Sequence, residues 1–220
     1  MKILFSTGIV TIASASQLTD MMADLVNTTS STIKNARNFG FSGPVGTYSE
    51  LYADYGCWCR MGTNSGYVGN GNGDAQDEYD AECKLLHDNY ACLVVEESTC
   101  DPFNIFYDRP GTVGDPTYWL RELQRADLTA AEIESECVTA NGGNFAPLCD
   151  RSACIIESTF LHKFFQLHTA GSINTAAFGS AAFDQATCSM GNSFSSWAGS
   201  RGTKRCCGTY SGYKQIYYSA

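Results

Sequence analysis

Cys83-Lys84-Leu85-Leu86-His87-Asp88 carries a cysteine four residues before a histidine, and Cys149-Asp150-Arg151-Ser152-Ala153-Cys154 carries an aspartate four residues before a cysteine. On helices, each pair shares one face, a turn apart. If the two helices run antiparallel, one register brings His87 to Asp150 and Cys83 to Cys154. The expectation is a His–Asp pair beside a disulfide. Histidine is the usual proton acceptor near neutral pH, and a carboxylate behind the ring fixes its tautomer. Asp88 follows His87, roughly 100° further round the helix, where a carboxylate is free to hold a cation.

The flanking sequence sets the compartment. Lys2, the mostly apolar run Ile3 to Ile12 and then Ala13-Ser14-Ala15 have the form of a secretory signal peptide over residues 1–15. That run is too short to span a bilayer. The eleven cysteines all lie beyond it, which in a secreted, extracellular chain reads as disulfides. An odd number leaves at least one thiol outside the intrachain pairs. No Cys-x-x-Cys or His-x-x-x-His occurs, and His162 and His168 suit no common zinc pattern. The formal net charge of −9 argues against nucleic acid as a partner and against generic attraction to anionic membranes. Asn27-Thr28-Thr29 is a glycosylation sequon.

Along the chain, helical spacing is expected in four places. Gln17 to Phe39 reads as an amphipathic N-terminal helix. Asp74 to Val95 opens with acids, with Tyr79, Cys83, Leu86 and Tyr90 as its buried stripe and Asp74, Asp77 and Asp80 as a solvated start. Thr129 to Val138 ends at Asn141-Gly142-Gly143, and Pro147 to His168 carries Phe160, Phe164 and Phe165 toward the core. Pro116 to Arg125 reads as a short turn of helix, and Ser200 to Ala220 as a small disulfide-anchored hairpin. Phe103, Ile105, Phe106, Tyr107, Tyr118 and Trp119 form an aromatic connection, expected to pack under a loop rather than enter lipid. The fold class expected is mainly α and disulfide-rich, with two antiparallel helices carrying the dyad and small β elements. Residues 16–168 form one domain, and 169–220 form a Gly/Ser/Tyr-rich extension packed on it.

No Gly-x-Ser-x-Gly elbow supplies a serine nucleophile, so water is the simpler one for an ester. The developing oxyanion then needs a stabiliser, which a metal beside the base supplies. Carboxylate and carbonyl oxygens favour Ca²⁺, and the segment Trp58 to Gly62 is the candidate loop. Cys83 with Cys154, and Cys92 with Cys149 about one turn off, follow from the helix register; Cys100 with Cys137 is a further candidate clip.

Tyr55-Gly56-Cys57-Trp58-Cys59, then Cys83 to Asp88, then Cys149 to Ala153, resemble the secreted, calcium-dependent phospholipases A2. The resemblance runs from about Tyr52 to Phe165. It implies that His87 activates water, that Asp150 orients His87, and that Asp88 binds Ca²⁺ with the backbone carbonyls of Trp58, Arg60 and Gly62. It implies hydrolysis of the sn-2 ester of glycerophospholipids, met by peripheral contact at a membrane or micelle surface, to a lysophospholipid and a fatty acid. It also implies that Cys57 reaches one of Cys188, Cys206 and Cys207. Four positions depart from the family pattern. Arg60 stands in place of a loop glycine, and the stretch from Gly62 to Cys83 is longer. Lys84 replaces the second of two adjacent cysteines, which leaves Cys59 without its usual partner. Tyr90-Ala91 replaces a Cys-Tyr pair, with Tyr90 left to support Asp150. The alternative reading is a catalytically silent phospholipase-like protein that binds lipid or another protein.

Overall fold

A computed structural model describes Met21 and residues 55–59, 73–101, 105, 107–111, 118–143, 148–170, 174–177, 183–189 and 204–218. The fold is organised by a long helix, α1 (Glu78–Glu96). Asp77 caps it, its side chain accepting the Asp80 amide, and Glu78 and Asp80 place negative charge on the first turn. A short helix α2 (Tyr118–Glu122) leads to α3 (Ala130–Ala140). Helix α3 begins in a reciprocal capping box between Thr129 and Glu132. The longest helix is α4 (Leu148–Ala170). It packs against both α1 and α3. Two 3₁₀ turns (Thr175–Ala177 and Gln185–Ser189) and an antiparallel hairpin, β1 (Lys204–Cys207) with β2 (Gln215–Tyr218), complete the described chain. The hairpin lies on α1.

The mainly helical, disulfide-rich class expected from sequence is what forms. The expected helices at 74–95, 116–125, 129–138 and 147–168 appear with ends shifted by a few residues. The Gln17 to Phe39 helix lies outside the described residues except for Met21, which is helical and fully buried. Residues 1–15, the Asn27 sequon, Arg60 and Gly62 also lie outside them.

One core holds the elements together. Tyr79, Cys83, Leu86, Tyr90 and Leu93 of α1, spaced at helical intervals, are buried against Phe160, Leu161, Phe164 and Phe165 of α4. Tyr79 meets the Phe164 ring edge-on at 5.0 Å and donates its hydroxyl to the Phe164 carbonyl. Trp119 and Tyr107 of the aromatic connection are buried, and Trp119 donates to Ser158 Oγ at 2.9 Å. Ala177, Cys188 and Tyr210 belong to the same core, so the C-terminal extension packs on the helices.

Five disulfides join Cys57–Cys188, Cys59–Cys83, Cys92–Cys206, Cys100–Cys149 and Cys137–Cys154. Cys57 does reach a C-terminal cysteine. The expected Cys83–Cys154 and Cys92–Cys149 bonds do not form, and neither does Cys100–Cys137. Helix register is the reason. Pairing His87 with Asp150 would put Tyr79 opposite Ser158 and Tyr90 opposite Pro147, but Tyr79 meets Phe164 and Tyr90 meets Glu157, six and ten residues further along α4. Six to ten residues of helix are about 9–15 Å, beyond the Cα separation of about 7 Å that a disulfide tolerates. Cys92 lies roughly 200° round α1 from Tyr90, on the face that meets the hairpin, and so bonds Cys206. Cys59 finds a partner after all, in Cys83. Cys207 is exposed and takes part in none of the five bonds.

Candidate functional site

The loop 55–59 is built around a carboxylate. Asp80, fully buried, accepts the backbone amides of Cys57 (2.8 Å), Trp58 (2.6 Å), Cys59 (3.3 Å) and Gln76 (2.9 Å). The expectation of a solvated helix start fails at this residue: Asp80 faces the loop and accepts its amides, of which Cys59 N–H is shared with the Tyr55 carbonyl at 3.2 Å. Gly56 is required here. It has φ +59°, and a Cβ on it would lie 2.5 Å from Asp80 Cγ. Planar peptides turn the Trp58 carbonyl away from Asp80, because the amide of the same peptide unit, Cys59 N–H, points at it.

Trp58 lies against the middle of α1. Its indole donates to the Gly73 carbonyl at 3.2 Å, and its ring centroid is 5.4 Å from that of His87. Lys84 Nζ stands 5.2 Å from the Trp58 ring. Among the described residues His87 Nδ1 is buried and makes no hydrogen bond, and the carboxylate it approaches is Asp88, at 3.6 Å. Thus Trp58, His87 and Asp88 lie together beside α1.

Asp150 does not join them. It sits in the first turn of α4, about 9–15 Å along the helix pair from the level of His87 by the register above. Burial, and then the Asp108 charge, raise its pKa above the ordinary carboxylate value. Its carboxylate makes no hydrogen bond or ion pair with His87. The carboxylate that does stand between the helices is Glu157, almost fully buried, which accepts Tyr90 OH at 2.5 Å and Tyr107 OH at 2.6 Å. Tyr90 therefore supports Glu157, not Asp150. A single acid in the apolar run Ala153-Cys154-Ile155-Ile156-Glu157-Ser158-Thr159-Phe160 is the signal that marks it. Such a residue in a core helix is paired or it is very costly.

The residues facing Glu157 from α1 matter as much. Cys83, Leu86, Tyr90 and Leu93 form the buried seam, while the His87 side chain keeps 27% of its exposure. One residue along a helix is about 100° of rotation. Leu86 occupies the seam position one turn before Tyr90, and His87 turns outward from it.

For Ca²⁺, Asp88 and the Trp58 carbonyl are the oxygen donors within the described residues, where the ion takes six to eight. Arg60 and Gly62, the other expected donors, lie outside them. Among the described residues no three His, Cys, Asp or Glu side chains cluster as metal ligands, and no helix is long and apolar enough to cross a membrane. No family model matches the chain, and neither does a curated protein or a solved structure.

Proposed function

We propose that this protein is a secreted, phospholipase A2-like protein that binds phospholipid at a membrane or micelle surface without hydrolysing it. The observation that carries this reading is the seam between α1 and α4. Its carboxylate, Glu157, is engaged by two tyrosine hydroxyls, and Leu86, one turn before Tyr90 on α1, is fully buried. His87 points outward with no carboxylate hydrogen-bonded behind it. A general base without an orienting partner retains little of its advantage. The sequence motifs and the packing of Trp58 on His87 support the phospholipase-like part of the reading.

Calcium-dependent hydrolysis of the sn-2 ester is the second reading. The 3.6 Å approach of Asp88 to His87 Nδ1 favours it, since a small side-chain rotation would close a hydrogen bond. In that reading Asp88, with Trp58, Arg60 and Gly62, holds the ion that stabilises the oxyanion, and His87 draws a proton from water.

One experiment separates the two. Fatty-acid release from phosphatidylcholine vesicles is measured with Ca²⁺, with chelator and for His87→Gln, alongside vesicle co-sedimentation. Binding with no release above background in any arm is the expected result. Release that needs both Ca²⁺ and His87 overturns the binding-only reading in favour of the hydrolase.

A further inference from the structure

The hairpin contributes little to the core. Among its described side chains Tyr210 alone is buried, and Cys206 packs partly exposed at the core's edge. Its hold on the helices is polar. Tyr210 OH and the Lys214 ammonium both bond the Glu96 carboxylate, Tyr213 OH bonds Glu82, and the Lys214 amide bonds Asn89 Oδ1. Ser211 Oγ donates to Glu134 of α3. Glu82, Asn89, Cys92 and Glu96 lie along one strip of α1. Two features of the docked hairpin oppose this hold. Tyr213 has φ +59°, a left-handed conformation that a bulky side chain rarely adopts. Burial raises the Glu82 carboxyl above the ordinary carboxylate value, against the Tyr213 hydroxyl bond and the Lys163 charge, which lower it. Both are relieved when the hairpin lifts, as the backbone relaxes and the carboxylate returns to water. A two-stranded hairpin on its own is marginal in water. Of the five disulfides, Cys92–Cys206 is the one that ties it to α1.

We infer that the hairpin is a strap released by reduction: opening Cys92–Cys206 lets residues 204–218 leave α1 while the helical core stays folded. The reductant is a dithiol. Its thiolate attacks Cys206 Sγ, the partly exposed sulfur, since Cys92 is fully buried. A bond forms between that sulfur and Cys206, and the bond to Cys92 breaks. Cys92 leaves as a thiolate that takes up a proton. The second thiol of the reductant then attacks the mixed disulfide, Cys206 leaves in turn, and the reductant departs as its own disulfide. Two electrons and two protons pass to the protein. Cys149 is likewise partly exposed, but its bond to Cys100 joins stretches that continue into α1 and α4, so opening it frees no segment. The other three bonds are buried at both ends. Without the covalent tie the local concentration of the hairpin at α1 falls, and the strain at Tyr213 and the burial of Glu82 then favour release. Release uncovers the strip of α1 that carries Glu82, Asn89 and Glu96. The device is independent of whether the protein binds lipid.

The test is a dithiothreitol titration of the whole oxidised protein, followed by differential alkylation and by amide hydrogen exchange. Expected is opening of Cys92–Cys206 before any other disulfide. With it, exchange over 208–218 quickens about tenfold or more, while exchange over 83–93 and 156–165 is unchanged. Reoxidation restores the protection. The paired variant Cys92→Ala with Cys206→Ala shows the fast hairpin exchange without reductant, and dithiothreitol at the same concentration adds nothing. Where that variant fails to fold, the wild-type titration decides. Earlier opening of another disulfide, loss of core protection together with that of the hairpin, or a hairpin that stays protected once Cys92–Cys206 is open would overturn the strap. A folded paired variant whose hairpin exchanges like wild type would do the same.

Discussion

Seven residues separate Asp80 from His87, two turns of α1, yet the helix treats the two side chains oppositely. Asp80 is wholly buried and collects four backbone amides. His87 turns outward, with a buried nitrogen that makes no hydrogen bond among the described residues. Further along, Glu157 repeats the first pattern with Tyr90 and Tyr107. A second histidine, His162, also follows it, with Nδ1 on the Leu123 carbonyl at 2.8 Å. Buried polar groups whose bonds are complete hold an architecture together, because removing either partner leaves a desolvated orphan. The cluster at Lys84, His87 and Asp88 has no comparable set of hydrogen bonds among the described residues.

That contrast can be broken most forcefully at Asp80. Asp80→Ala orphans the loop amides and is expected to cost about 3 kcal/mol or more in urea unfolding with an unchanged slope. A loss under about 1 kcal/mol would show that the loop does not depend on this carboxylate. Next comes Glu157→Leu, which strands two buried hydroxyls and is expected to cost about 2–4 kcal/mol. Adding Tyr90→Phe and Tyr107→Phe to it should recover a large part, since removing both hydroxyl donors with their acceptor leaves neither hydroxyl facing the lost carboxylate. No recovery would mean that the cluster's role is packing rather than hydrogen bonding.

His162 sharpens the comparison through pH. Burial lowers its pKa below 6.5, so between the folded value and 6.5 the unfolded chain binds more protons. Stability is therefore full above about 6.5 and falls as pH drops through that window. Melting curves from pH 7 downward should show the decline, and His162→Gln should flatten it; an equal decline in the variant would assign the effect to another group. The smallest effect is expected at the outer cluster. Lys84→Gln and Asp88→Asn should each move stability by no more than about 0.5 kcal/mol, and a larger loss would place these residues in the scaffold.

The sequence by itself determined the helices, the buried stripe of α1 and the phenylalanines of α4, because side-chain periodicity is local and needs no partner. What it did not determine was the register between α1 and α4. Two four-residue spacings agreed on a pairing of His87 with Asp150 and Cys83 with Cys154. Neither spacing, however, measures the apolar surface buried when a helix slides along its neighbour. Tertiary packing decided that question. The register that forms sets Tyr79 against Phe164, buries Leu86 and Leu93 in the same core, and gives Glu157 two tyrosine donors. Placing Asp150 at His87 would give up that burial for one ion pair of modest net value. The disulfides then followed the register, since a bond that requires close Cα atoms forms between cysteines that folding has already brought together.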